Sequence, residues 1–178
     1  MELKDILDLE EKQLYNEAYY CYNMLLNESN QDFKLWKHHF FFLWYMLDVV
    51  DGQFTVDIDL RETLVIEFKK GLKQFKNVSE FNFITGYTIS IMPYIFGNCN
   101  KYERTAIQLL ERANLLEPNN SIYKMTLLGA QWDFGGQEGS YNEVCVKSKQ
   151  EILKKYKGKG LINRYFHRTL NRYEEVLR

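Results

Sequence analysis

The chain has 178 residues, 46% of them hydrophobic and 16% aromatic, with 24 acids against 23 bases and a formal net charge of -1. That length suits one domain spanning residues 1–178, with ample apolar mass for a core, and the composition excludes a disordered or collagen-like chain. Two prolines and ten glycines leave few turns, which favours long helices over many short strands.

The near-neutral total hides a gradient. Residues 1 to 33 carry eight acids and two bases, whereas residues 147 to 178 carry ten bases and three acids. Cys21, Cys99 and Cys145 are odd in number and lack a CxxC pair, so neither a disulfide framework nor a zinc site is indicated and reduced cytosolic thiols are expected. The acidic start MELKDILDLEEK has no apolar signal-peptide core. The apolar run Phe40 to Leu47 is far shorter than the ~20 residues that span a bilayer. The expected location is the cytoplasm, with no membrane partner.

In chain order, Leu14, Ala18, Cys21, Tyr22 and Leu25 predict a first amphipathic helix over roughly Leu9 to Asn27. Asp32 is positioned to cap a second helix running to Val50, apolar on nearly every side and so expected inside the bundle. Asp51-Gly52 closes it, and Gln53 to Asp57 read as a loop or a short extended stretch. Asp59, with Glu62 three residues on, opens a third helix whose stripe is Leu60, Leu64, Phe68, Leu72 and Phe75. Ser79 is the expected cap of a fourth, Glu80 to Tyr94, broken or kinked near Pro93, and the mid-helix Gly86 implies a close helix crossing.

The fifth helix, Lys101 to Leu116, carries Tyr102, Ala106, Leu109, Leu110, Ala113 and Leu116 on one face, with Asn100 as its expected cap and Pro118 forbidding continuation. Asn119-Asn120 cap the sixth, Ser121 to Phe134. Ser140-Tyr141-Asn142-Glu143 is an S-x-x-E capping box for the seventh, Tyr141 to Tyr156. Gly158 and Gly160 form a hinge before the eighth, which uses Ile162, Tyr165, Thr169, Tyr173 and Val176. The expected fold is therefore all-α: about eight antiparallel helices in hairpins forming a short superhelix. A shift of 88 residues sets Ala18 on Ala106 and Tyr22 on Leu110, a loose internal echo of the kind tetratricopeptide (TPR) arrays show.

The chain carries no HExxH, EF-hand, GxSxG or P-loop motif. His38-His39 are adjacent, so on a helix they diverge by about 100° and do not form a zinc pair; they read as surface or structural histidines. His167 lies among Arg164, Arg168 and Arg172, whose charge disfavours an imidazolium. Gly135-Gly136 and Gly139 read as a flexible corner. No catalytic residue, metal or cofactor is expected.

Binding surfaces are better supported. Asp48, Asp51, Asp57, Asp59, Glu62 and Glu67 form an acidic stretch against Arg61 alone, and Asp133, Glu138 and Glu143 form a sparser acidic patch; Trp132 and Phe134, at the end of the sixth helix, read as core residues or as the exposed aromatics of a binding site. Acids at helix starts are ordinarily caps and dipole partners; the other reading is an anionic face for a cationic partner. The basic segment Lys147 to Arg178 fits a phosphate stripe, two solvated helices, or a complement to the chain's own acidic first helix. Nucleic acid is not the expected direct partner.

Phe83-Ile84-Thr85-Gly86-Tyr87, then Met92-Pro93-Tyr94, then Tyr102 through Glu117-Pro118-Asn119-Asn120 to Tyr123 together resemble the small TPR-like, all-helical immunity proteins of bacterial contact-dependent growth inhibition and related polymorphic toxin systems. The resemblance implies a non-enzymatic, monomeric cytosolic protein. It would bind one cognate toxin domain, often a nuclease, and block its active or substrate-binding surface. The competing expectation is a TPR-like adaptor that holds a peptide in a concave groove.

Overall fold

Short acceptor side chains cap four of the helix starts, at Asp32, Asp59, Asn98 and Asn120, and the described elements are helical. The computed structural model describes residues 1–28, 32–48, 53–131 and 138–170, with the backbone alone for 138–140. Among these the chain forms α1 (Leu3–Glu11), α2 (Tyr15–Glu28), α3 (Phe33–Met46), α4 (Leu60–Phe75), α5 (Ser79–Ile91), α6 (Pro93–Phe96), α7 (Cys99–Leu116), α8 (Ser121–Ala130), α9 (Glu138–Lys155) and α10 (Leu161–Leu170), with no strand. Fold class is as expected from sequence, all-α. None of the described helices is long and apolar enough to cross a membrane.

Among the described residues ten helices stand where about eight were expected, for two local reasons. Instead of one helix from Leu9, the chain turns at Gln13, whose φ of 59° is left-handed. There Leu14 N–H donates to Leu9 O (3.0 Å) and Gln13 N–H to Glu10 O (3.1 Å), the paired bonds of a Schellman stop. Leu14 therefore belongs to a turn and is 40% exposed. At the second place, Pro93 opens a separate short helix, α6, from its first position, where its missing N–H is not required.

The chain divides into two compact units, residues 1–75 with 158–165 and residues 76–157 with 166–178. In the first, α3 is buried on almost every side, from Leu35 to Trp44 with the exception of Lys37. Its Asp32 cap accepts Lys34 N–H at 2.8 Å and Leu35 N–H at 3.1 Å. Trp36 stacks on Phe40 with ring centroids 5.0 Å apart, and Phe41 and Trp44 meet Tyr165 edge-on at 5.4 and 5.3 Å. Along α4, Leu64, Phe68 and Phe75 are buried, but Leu72 is 40% exposed and Gly71 is buried instead. A strict four-residue spacing drifts about 40° per step against a 3.6-residue helix, which carries Leu72 off the packed face.

In the second unit, α5 is the centre, with Phe81 to Ile89 all buried. Gly86 is what lets α7 approach: a Cβ there would lie 2.8 Å from Leu110 Cγ and 3.1 Å from Ala106 O. The buried hydroxyls of Thr85 and Thr88 donate to the carbonyls of Phe81 (2.7 Å) and Thr85 (3.1 Å), so they leave no donor unpaired in the core. Tyr123 stacks on Phe83 at 4.7 Å, and Phe166 packs against Phe83, Tyr87 and Tyr156.

Three caps differ from expectation. Ser79 hydrogen-bonds Glu117, and Val78 occupies the cap position of α5. Asn98, not Asn100, caps α7, accepting Lys101 N–H at 3.1 Å. The helix α9 already begins at Glu138, so Ser140 lies inside it. Asn120 does cap α8, accepting Tyr123 N–H at 3.2 Å.

Candidate interaction surface

Residues 53–59 form neither helix nor strand, with Ile58 N–H closing a three-residue turn on Val56 O (3.0 Å), and their exposure alternates: Gln53, Thr55, Asp57 and Asp59 are exposed while Phe54, Val56 and Ile58 are half-buried. The segment is held by a two-bond clamp from α2, in which Asn16 Nδ2 donates to Thr55 Oγ1 at 2.8 Å and Thr55 N–H donates to Asn16 Oδ1 at 2.9 Å. Phe54 packs edge-on against Tyr19 and Phe42, with centroids 5.7 and 5.9 Å away. Backbone clamp and inward ring together fix the outward direction of the odd-numbered side chains.

Asp59 spends one carboxylate oxygen on its own helix, accepting Glu62 N–H at 2.8 Å and so capping α4. Its charge, with that of Glu62 in the first turn, also complements the positive end of the helix dipole. The outcome is a short ridge of exposed carboxylates, Asp57, Asp59 and Glu62, on an anchored backbone. On α2, Tyr20 is 62% exposed, its ring 5.7 Å from Tyr19, which in turn meets Phe54. Asp51, Trp132 and Asp133, and the side chain of Glu138, lie outside the described residues.

Sequence reasoning did not single out Asn16, Thr55 or Tyr20. The Asn16–Thr55 clamp joins positions 39 apart and has no local signature. Tyr20 had one: of two consecutive tyrosines on a helix, only one can face the core.

Part of the basic C-terminal charge is neutralised internally. In the first unit, Lys159 Nζ lies 2.6 Å from Asp8 Oδ1 and Arg164 Nη1 lies 3.3 Å from Glu11 Oε2. The hydrogen bond and charge of Lys159 pull the Asp8 carboxyl below its usual range, and Asp8 in return raises Lys159. Glu11 also accepts Gly160 N–H (2.8 Å), while Glu10, 1% exposed, accepts Leu161 N–H and Tyr22 O–H, both at 2.7 Å. Burial pushes the Glu10 carboxyl up to about 7, despite those two donors and the Arg164 charge. In the second unit, Lys155 lies 3.6 Å from Glu80 and 5.1 Å from the Tyr123 ring centroid. These three cations therefore serve the fold itself.

The two adjacent histidines are buried, not at the surface. His39 packs 5.4 Å from the Tyr22 ring, with neither ring nitrogen hydrogen-bonded, and burial lowers both imidazoles to about 3. At neutral pH both are uncharged and structural. Among the described residues no three His, Cys, Asp or Glu side chains gather as a metal-binding set. Cys21, Cys99 and Cys145 are free thiols.

The second unit holds a cavity of about 430 Å³ walled by α5, α7, α8, α9 and α10, with Glu103 from α7 on its lining.

No protein-family model, curated protein or solved structure matches the chain. The fold and the surface define an all-α protein with an anchored acidic ridge.

Proposed function

We propose that the chain is an immunity protein that binds a cognate bacterial toxin domain, with a nuclease the best-fitting class, and covers its active or substrate-binding surface. The observation that carries this reading is the anchored acidic ridge. Asp57, Asp59 and Glu62 are exposed on a backbone already fixed by the Asn16–Thr55 clamp, so docking orders little chain. A nuclease is positive where it grips phosphate, and a row of exposed carboxylates complements that charge. The role needs no bond making or breaking by this chain, and the helical hairpins act as a TPR-like scaffold.

The test is co-expression with the small C-terminal domain encoded by the neighbouring upstream reading frame. The expected result is growth arrest by that domain alone and growth restored when this chain is present. A domain that is harmless alone, or equally toxic in its presence, overturns the proposal.

A further inference from the structure

Among the described residues, the cavity in the second unit carries charge of one sign on its lining. Among the described residues Glu103 is the sole charged side chain on it, and no Lys, Arg or His contributes. Ser90 and Thr126 also line it, but each hydroxyl already donates within its own helix, to Tyr87 O at 2.7 Å and to Ile122 O at 2.9 Å. What these three side chains offer a guest is therefore lone pairs, and a guest that matches must bring donors and positive charge.

The remaining wall is apolar or aromatic. Ile107, Met125 and Leu170 supply aliphatic surface, and Tyr87 and Tyr141 supply rings. Gly129 makes room for one of them, since a Cβ there would stand 3.3 Å from Tyr141 Cε2. Aromatic π systems favour a cation over an anion or a neutral group. A volume of about 430 Å³ falls in the range of small-molecule sites, where apolar walls and a few convergent polar groups define the ligand.

We infer that this cavity is a binding site for a small organic cation, a primary ammonium group on an aromatic or aliphatic body, with Glu103 as its counter-ion and Ser90 and Thr126 as acceptors. The ammonium presents three donors and no acceptor, the complement of the Glu103 carboxylate and the two hydroxyls whose hydrogens are already committed. Among the described residues an anion meets only Glu103's like charge, and a neutral alcohol leaves the carboxylate unpaired. The site is separate from the acidic ridge and does not depend on the toxin reading; the two tests fail independently.

Three isosteric probes decide the matter: 2-phenylethylamine, 2-phenylethanol and phenylacetate, titrated into the ¹⁵N-labelled full chain and followed by amide shifts. The expected result is saturable binding of the amine, mapping to α5, α7 and α8, roughly tenfold or more tighter than the alcohol, and no binding of the acid. Glu103→Gln is expected to weaken the amine about tenfold and leave the alcohol unchanged. Ala130→Phe, which fills the cavity from the end of α8, is expected to abolish both. Failure of the amine to saturate at millimolar concentration overturns the inference. So does equal affinity for amine and alcohol, an amine affinity unchanged in Glu103→Gln, or shifts confined to the ridge around Asp57.

Discussion

Glu10→Gln isolates the one buried carboxyl whose titration falls near neutral pH. In the folded chain its pKa is raised from 4.5 to about 7 by burial. The sign follows from linkage: an acid whose folded pKa exceeds its unfolded value contributes stability that is fully present below pH 4.5 and lost as pH rises through about 7. The difference of 2.5 units, 7 minus 4.5, corresponds to about 3 kcal/mol. Glutamine keeps the acceptor for Leu161 N–H and turns its amide toward Tyr22 Oη, at a pH-independent cost of about 1 kcal/mol for the displaced hydroxyl hydrogen.

Urea unfolding of both proteins at pH 5, 6, 7 and 8 measures the difference directly, and subtracting the two curves cancels the histidines and the exposed pairs. The variant is expected to gain about 2–3 kcal/mol on the wild type between pH 5 and 8, the remainder of the linkage lying below pH 5, with most of the change below pH 7.5. A difference that is flat with pH, or that moves the other way, refutes the account of Glu10 as a carboxyl held neutral by its surroundings.

Gly86→Ala is expected to destabilise by about 1–3 kcal/mol in urea unfolding, despite alanine's better helix propensity, because the new methyl meets Leu110 and the Ala106 carbonyl. Gln13→Gly is expected to stabilise by about 1 kcal/mol, read as a raised Tm, by removing a side chain from a left-handed position that the Schellman stop requires. His38 and His39, both lowered from 6.5 to about 3, contribute stability that is present above pH 6.5 and lost as pH falls toward 3. His39→Phe, in a pocket already lined by Tyr19 and Tyr22, is expected to shift the acid-unfolding midpoint followed by circular dichroism to lower pH.

Features set by one residue and its immediate neighbours were legible in the sequence. Asp32, Asp59 and Asn120 each precede a helical stretch and cap it, because a short acceptor side chain satisfies N–H groups the helix leaves open. Gly86 was legible as a crossing because a mid-helix glycine costs stability unless a neighbour needs the space. The Gln13 stop was not legible, since the left-handed position is filled by a residue that does not announce it. Ser79 looked like a cap, but its hydroxyl was claimed by Glu117 from 38 positions away. Glu10 carried a faint signal, a carboxylate one turn beyond the fully buried Ile6, whose meaning depended on Leu161 much later in the chain.

For the candidate surface, the acids themselves were visible, and their outward direction was not. It depends on the Asn16 clamp and on Phe54 finding Tyr19 and Phe42, all distant in sequence. The cavity around Glu103 was invisible for the same reason, as five helices supply its walls.

The central claim is that the ridge of Asp57, Asp59 and Glu62 steers a basic protein partner. The most direct measurement is the association rate with the neighbouring toxin domain, by stopped flow across a salt series, for wild type and for Asp57→Lys/Asp59→Asn/Glu62→Lys. The asparagine removes charge at position 59 while keeping a cap for α4. The account predicts an on-rate at least about tenfold slower for the variant at low salt, with the two converging as salt rises. Equal on-rates at low salt would contradict it.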